Sequence, residues 1–251
     1  MKIVVIGGAS GIGRNAVKYM KKNNKVIVAD KDRAALNTLE KVDKIHLDIT
    51  DRKRVQEELT GLDTDILVNC AGVQKQGAAE DMEIEEFEEH IYHNYIGVIN
   101  TVQASLPSLR ENNGKIVNVS SIAGKVGLPM FSGYCASKYA VEGFTDSLRR
   151  ELKDINVVLV EPGRVKTGFN KEGRDNIQRY EDSNYSDLYQ KLLSEDVKGL
   201  NPEKAGRKLA WITVNGTKNR YTITREAYLI SKLKGIVPEK FFDFIFRKYR
   251  R

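Results

Sequence analysis

Short runs of valine and isoleucine recur along this chain with helical stretches between them, and that alternation limits the fold more than any other feature. Lys2–Ile6, Val26–Ala29, Ile66–Val68, Ile116–Val119 and Val157–Val160 are almost wholly apolar. Strands without polar alternation are those buried on both faces, as in a parallel sheet covered by helices. Between them, Ile12–Met20, Asp51–Leu59, Ile84–Leu109 and Ser132–Leu152 read as helices. A third strand ends before Asp48 and a last one is expected over Tyr221–Thr224, about seven in all. The expected fold is α/β: a Rossmann-type, doubly wound parallel sheet with right-handed crossovers. Without an internal repeat or a Pro/Gly/Ser linker, a single domain is expected over residues 1–251. Within it, the polar stretch 163–200 reads as a late-ordering, substrate-loop region. A helix is expected from Pro202, and residues 225–251 form a basic helical extension.

Charge narrows the function classes. The net charge is +7, but residues 217–251 hold ten Lys or Arg against three acids, so residues 1–216 are balanced. A basic tail is not a groove-reading surface, and no nucleic-acid-binding pattern is present, so no nucleic-acid partner is expected. No apolar run approaches the roughly eighteen residues that span a bilayer. The start of the chain lacks the pattern of a signal peptide. Two cysteines, Cys70 and Cys135, suit a reducing compartment, and a cytoplasmic location is expected.

The first strand runs into Gly7-Gly8-Ala9-Ser10-Gly11-Ile12-Gly13 and then a helix. A tight turn without side chains lets backbone N–H groups and a helix N-terminus face a pyrophosphate. Gly7, Ser10, Gly11, Ile12 and Gly13 are therefore candidate contacts to a dinucleotide. Asp30, ending the second strand, can accept hydrogen bonds from a ribose 2′-OH and would repel a 2′-phosphate. That favours NAD(H) over NADP(H), although Lys31 and Arg33 are a basic pair that could bind the phosphate. Asp32 is the better placed of the two acids to cap the next helix. Asp48 and Asn69-Cys70-Ala71-Gly72 fall where parallel strands end, the usual ligand side of such sheets.

Tyr134 and Lys138 are four residues apart, on one face of a helix. An ammonium beside a phenol stabilises the phenolate and suits the phenol to acid/base work. Spacing alone does not decide, because Tyr228 and Lys232 repeat it. Ser121, thirteen residues before Tyr134 and just past a strand, adds a hydroxyl that can donate to a carbonyl. Asn94 lies inside the long helical stretch.

Together these motifs resemble the short-chain dehydrogenase/reductase family, over most of the chain. Gly7-x3-Gly11-x-Gly13, Asn69-Cys70-Ala71-Gly72, Asn94, Ser121 with Tyr134-x3-Lys138, and Pro162-Gly163 match in order. The resemblance implies hydride transfer between NAD(P)(H) and a carbonyl or secondary alcohol. It implies Tyr134 as the acid/base and Ser121 as the carbonyl's partner. Lys138 would lower the tyrosine's pKa and hold the nicotinamide ribose. Asn94 would hold a relay water through a local helix distortion. Pro162, Gly163, Val165 and Thr167 would meet the carboxamide, Asp48 the adenine, and Asn69 and Ala71–Gly72 the adenosine side. A homodimer or homotetramer is expected.

Two departures stand out. Ile6 replaces a threonine common before the first glycine. The chain also ends in a basic, aromatic segment, Lys240–Arg251, which looks like the tails of members acting on lipophilic alcohols. That ranks a lipophilic carbonyl or alcohol first as small-molecule substrate, ahead of a 3-oxoacyl thioester. A nucleotide sensor on the same fold is the rival reading; intact Ser121, Tyr134 and Lys138 argue against it. The tail is expected first to pack on its own domain, with a peripheral membrane contact the lesser alternative. No metal ligand set is expected: His46, His90 and His93 read as solvated or packed.

Overall fold

In a computed structural model, which describes residues 1–195 and 198–249, seven strands form one parallel sheet in the order β3-β2-β1-β4-β5-β6-β7. They are β1 Lys2–Ile6, β2 Lys25–Asp30, β3 Asp43–His46, β4 Ile66–Asn69, β5 Lys115–Val119, β6 Asn156–Glu161 and β7 Arg220–Thr222. Val5, Val28, Val68, Val117 and Val158 face one layer with Ala16, Val17, Leu209 and Ile212 of helices α1 (Gly11–Met20) and α9 (Pro202–Asn215). Their neighbours Val4, Ile27, Leu67, Ile116 and Val157 face the other layer with Val55, Leu59, Val102, Leu109 and Leu148. Those residues come from α3 (Arg52–Leu59), α5 (Gly97–Glu111) and α6 (Ser132–Glu151). Both sheet faces are covered, which is why the strands are apolar throughout. No helix among the described residues is long and apolar enough to cross a membrane.

The strand order reverses between β1 and β4, and the crevice beyond their carboxyl ends is where open sheets of this type bind ligands. Several boundaries differ from the sequence expectation. The stretch 84–109 is α4 (Ile84–Ile91), a π-helical turn (Tyr92–Ile96) and then α5. The last strand stops at Thr222 because Thr224 caps α10 (Arg225–Leu233), its hydroxyl accepting from the Ala227 N–H.

The polar stretch 163–200 folds, over its described residues, into α7 (Gly168–Asp175), a 3₁₀ turn (Asn176–Arg179) and α8 (Ser186–Ser194). Its few apolar residues cluster: Ile177 and Tyr189 are buried against Ala78 and Met130, with Tyr180, Tyr185, Leu188 and Leu192 around them. Asp196 and Val197 lie outside the described residues, as do Arg250 and Arg251 of the tail. The extension ends in α11 (Glu239–Ile245) and a 3₁₀ turn, Phe246–Tyr249. A short five-residue helix α2 (Arg33–Asn37) follows β2, capped by Asp32 as expected, with its carboxylate 2.9 Å from the Ala35 N–H.

Candidate active site

β1 turns back at Gly7, whose φ of +74° is the left-handed region that glycine adopts freely. A Cβ there would lie 2.5 Å from the Ala71 backbone, and one on Gly13 would lie 2.2 Å from the Gly7 carbonyl oxygen. The loop is therefore closed to side chains and brings α1's first turn to the carboxyl end of the central strand β1. Ser10 caps α1 from an extended backbone, but its hydroxyl makes no cap bond, so the first-turn amides remain available to an anion. This cradle fits a dinucleotide's pyrophosphate.

A cleft of about 890 Å³ runs from this cradle. Gly7, Ser10, Gly11, Ile12, Gly13, Asp30, Asp48, Ala71 and Gly72 line it, as do Ser121, Tyr134, Lys138, Pro162, Gly163, Val165 and Thr167. Two expected residues do not. Asn69 is buried behind the cleft: its amide donates to Asn118 Oδ1 at 2.9 Å and its carbonyl oxygen accepts from Thr101 Oγ1 at 2.8 Å. Asn118 in turn donates to Thr145 Oγ1, so a polar chain ties α5, β4, β5 and α6 together. Asn94 is also fully buried, inside the π turn, where the helix distortion was expected. Its side-chain oxygen accepts from the Val73 N–H at 2.7 Å, and its amide donates to the Val73 carbonyl and Ser137 Oγ, each at 2.9 Å. A Cβ on Gly72 would lie 2.9 Å from Asn94 Oδ1 and 3.6 Å from Lys138 Nζ, so Asn94 and Lys138 flank the same glycine.

At the carboxyl end of β2, Asp30 accepts from the Ala9 N–H at 2.9 Å and from the Asp32 N–H at 3.1 Å. These bonds fix its carboxylate between the glycine loop and α2. Lys31 lines the cleft with Nζ 3.2 Å from His93 Nε2. Arg33 is outside the lining, turned to His46 at 3.3 Å. The basic pair is thus split. Burial raises the Asp48 carboxyl, but hydrogen bonds from the Thr50 N–H and hydroxyl outweigh it and hold the group below its ordinary value.

α6 presents Tyr134 and Lys138 on one face, and the turn after β5 brings Ser121 into hydrogen bond with the Tyr134 hydroxyl. Burial raises the phenol well above its ordinary pKa, and the Ser121 bond pulls the other way. The Lys138 ammonium lies 5.7 Å from the Tyr134 ring centroid and donates to the Val119 carbonyl at 3.1 Å. Burial lowers it to about 8. The phenol here is a neutral acid: burial dominates, and the group that lowers it is Ser121 rather than the expected Lys138. His90, packed edge-on to Tyr134, is fixed by the Glu86 carbonyl at 2.6 Å and the Lys75 N–H at 2.9 Å, a structural histidine.

Beyond Tyr134 the cleft becomes apolar. Leu128, Pro129, Met130, Phe131, Phe169, Leu192 and Phe246 line the cleft, with Gln74, Gln76, Arg174, Asn176, Glu195 and Lys198 as polar members of the lining. Phe169 packs on Tyr134 with ring centroids 6.0 Å apart. Sequence reasoning missed these residues singly; the aromatic tail was the one signal for them.

Residues 1–178 match the short chain dehydrogenase family. The chain is a short-chain dehydrogenase/reductase. As such it is an NAD(P)-dependent oxidoreductase on a Rossmann-type sheet. It is 31% identical to a probable short-chain type dehydrogenase/reductase, VdlC, of Helicobacter pylori, over 97% of this chain and 96% of that protein. It is 29% identical to a 3-ketodihydrosphingosine reductase of Bacteroides thetaiotaomicron, over 98% of this chain and 96% of that one. Among solved structures, a short-chain dehydrogenase from Burkholderia cenocepacia in complex with NADP superposes with a TM-score of 0.82. That likeness, at 21% identity over 98% of this chain and 96% of the other, shares the fold.

Proposed function

We propose that this short-chain dehydrogenase/reductase reduces a ketone on a lipophilic chain, with Tyr134 as proton donor and NAD(H) as the preferred cofactor. The observation that carries the reading is the position of the Ser121–Tyr134 hydroxyl pair. It lies where the cradle end of the cleft meets its apolar end. A ketone oxygen seated there accepts from both hydroxyls, which polarises the carbonyl and takes up the negative charge that develops on it. A bound nicotinamide dinucleotide supplies the hydride. The Tyr134 O–H then breaks, and its proton goes to the substrate oxygen. A phenol held neutral by burial is the form that donates a proton. Lys138, one turn away, places positive charge near the phenolate left behind, which regains its proton from solvent. Asn94 holds the Val73 backbone and the Ser137 hydroxyl around them.

Several features support the finer parts. The apolar end from Leu128 to Phe246 suits an alkyl chain. A relative matching along nearly its whole length is named for a long-chain ketone. For the cofactor, Asp30 keeps a negative charge in the lining while Arg33 is turned away.

The test is turnover of a ketone series of rising chain length with NADH and with NADPH, for wild type and Tyr134→Phe. We expect the variant to lose at least about a hundredfold in kcat, in line with the usual worth of a positioned acid, while NADH still binds. Tyr228→Phe should be silent, since Tyr228 is exposed and outside the cleft lining. Near-normal turnover by Tyr134→Phe overturns the assignment.

A further inference from the structure

α10 and α11 turn different faces to the protein and to solvent. Inward, α10 is pinned to the end of β6: Glu226 accepts from the Arg164 N–H at 2.7 Å, and Ser231 donates to Glu161 at 2.8 Å. Ala227 and Phe242 are the residues of these two helices that are buried. Outward, Leu229, Leu233, Ile236, Phe241, Phe244 and Ile245 are all exposed, Ile236 at 81%. Leu229 and Leu233 are one helical turn apart, as are Phe241 and Ile245, so each helix shows an apolar stripe to solvent. Exposed apolar stripes on two successive helices mark an interaction surface.

Its charge identifies the occupant. Arg225, Lys232, Lys240 and Arg247 are exposed on and beside these helices, outnumbering the exposed acids Glu226, Glu239 and Asp243, and residues 217–251 carry the whole net charge of the chain. Aromatic and aliphatic side chains accompanied by lysine and arginine match the headgroup boundary of an anionic bilayer. There the apolar groups enter the acyl edge and the cations meet lipid phosphates. The position fits too. Phe246, at the end of α11, lines the apolar end of the cleft and also the groove beside Leu128 and Tyr139. The patch therefore borders the mouth through which an apolar chain enters.

We infer that α10 and α11 form a docking face for an anionic lipid surface, holding the cleft mouth against the bilayer. The face stands on exposure and charge, whatever the substrate proves to be. The test is co-sedimentation of the full chain with phosphatidylcholine vesicles, with and without phosphatidylglycerol, at low and high salt. The wild type, Lys232→Gln/Lys240→Gln and Ile236→Glu/Phe244→Glu are compared. Turnover of a short, water-soluble ketone serves as the check on folding, and none of these residues is in the catalytic machinery. We expect salt-sensitive binding that requires the anionic lipid. Each double variant should lower the partition coefficient by at least about tenfold, at roughly fivefold per basic residue near the surface. Equal sedimentation with and without anionic lipid, or variants that bind like wild type, overturns the inference. So does concentration-dependent self-association that Ile236→Glu/Phe244→Glu abolishes, since the face would then belong to a second copy.

Discussion

Asp30 sits where one negative charge can sort two cofactors. Its oxygens are held by the Ala9 and Asp32 N–H groups, so removing the whole side chain would disturb the glycine loop as well as the charge. Asp30→Asn separates the two effects, because an amide oxygen still accepts from Ala9. A 2′-phosphate near a carboxylate meets a repulsion of about 1–4 kcal/mol in a partly solvated cleft. We therefore expect the ratio of kcat/KM for NADPH over NADH to rise at least about tenfold in Asp30→Asn, with Lys31 left to receive the phosphate. Steady-state titration with both cofactors reads this directly. A wild-type enzyme that already prefers NADPH would mean that Lys31 outweighs Asp30. The residues that chemistry ties to a type and a spacing were readable from the sequence: Gly7 and Gly13 for the turn, and Tyr134, Lys138 and Ser121 for the hydroxyl–amine set. Tyr228 and Lys232 share the spacing and lie exposed on α10, so company, not spacing, carried that reading. The burial of Asn69 behind the cleft was not legible, because its partners, Thr101 and Asn118, are 32 and 49 residues away, and no local pattern announces a buried polar chain.

Elements were legible where hydrophobic period and burial agree, and less so where a few long-range contacts decide. β1, β4 and β5 needed nothing beyond their apolar runs. The 163–200 stretch reads as polar, yet Tyr180, Tyr185, Tyr189 and Leu192 give its helices a cluster of their own. Glu86 of α4 holds that cluster in place. Its carboxylate accepts from Tyr180 Oη at 2.8 Å and Asn176 Nδ2 at 3.0 Å, and pairs with Arg179. Burial raises this carboxyl, but those partners together with the Glu83 N–H outweigh it and hold the group below its ordinary value. A carboxyl lowered by folding contributes its stability above the ordinary glutamate value, ~4.3, and loses it as pH falls through the lower folded value. Neutral Glu86→Gln should therefore resemble acid-treated wild type locally. We expect its 176–194 segment to be cleaved faster by protease, at a local cost of roughly 1–3 kcal/mol. Asn176 lines the cleft, so KM for the ketone should rise severalfold while kcat changes little. An equal fall in kcat would instead place Glu86 in the chemistry.

At the scale of the molecule, the balanced 1–216 portion builds β1 to β6 and nearly all of the cleft, while the basic extension adds the edge strand β7 and closes the cleft's apolar end. α11 adds little to the core: Phe242 is its one buried side chain, and the Lys234–Glu239 pair linking it to α10 is exposed. Burying one phenylalanine is worth about 2 kcal/mol, and an exposed ion pair adds under about 1 kcal/mol. A chain ending at Gly235 should therefore fold with a stability loss near that sum, read by urea unfolding. The Ser121 and Tyr134 hydroxyls would be untouched, so kcat for a short soluble ketone should stay within about twofold of wild type. Phe246, however, would be gone from the apolar end. Loss of one aromatic contact, about 1 kcal/mol, corresponds to roughly a fivefold rise in KM, and only for ketones whose chain reaches that far. The decisive measurement is KM against chain length for both proteins. Curves that coincide for short chains and diverge for long ones place the tail at the substrate's far end, whereas a uniform shift, or a truncated chain that does not fold, would make α11 a part of the core.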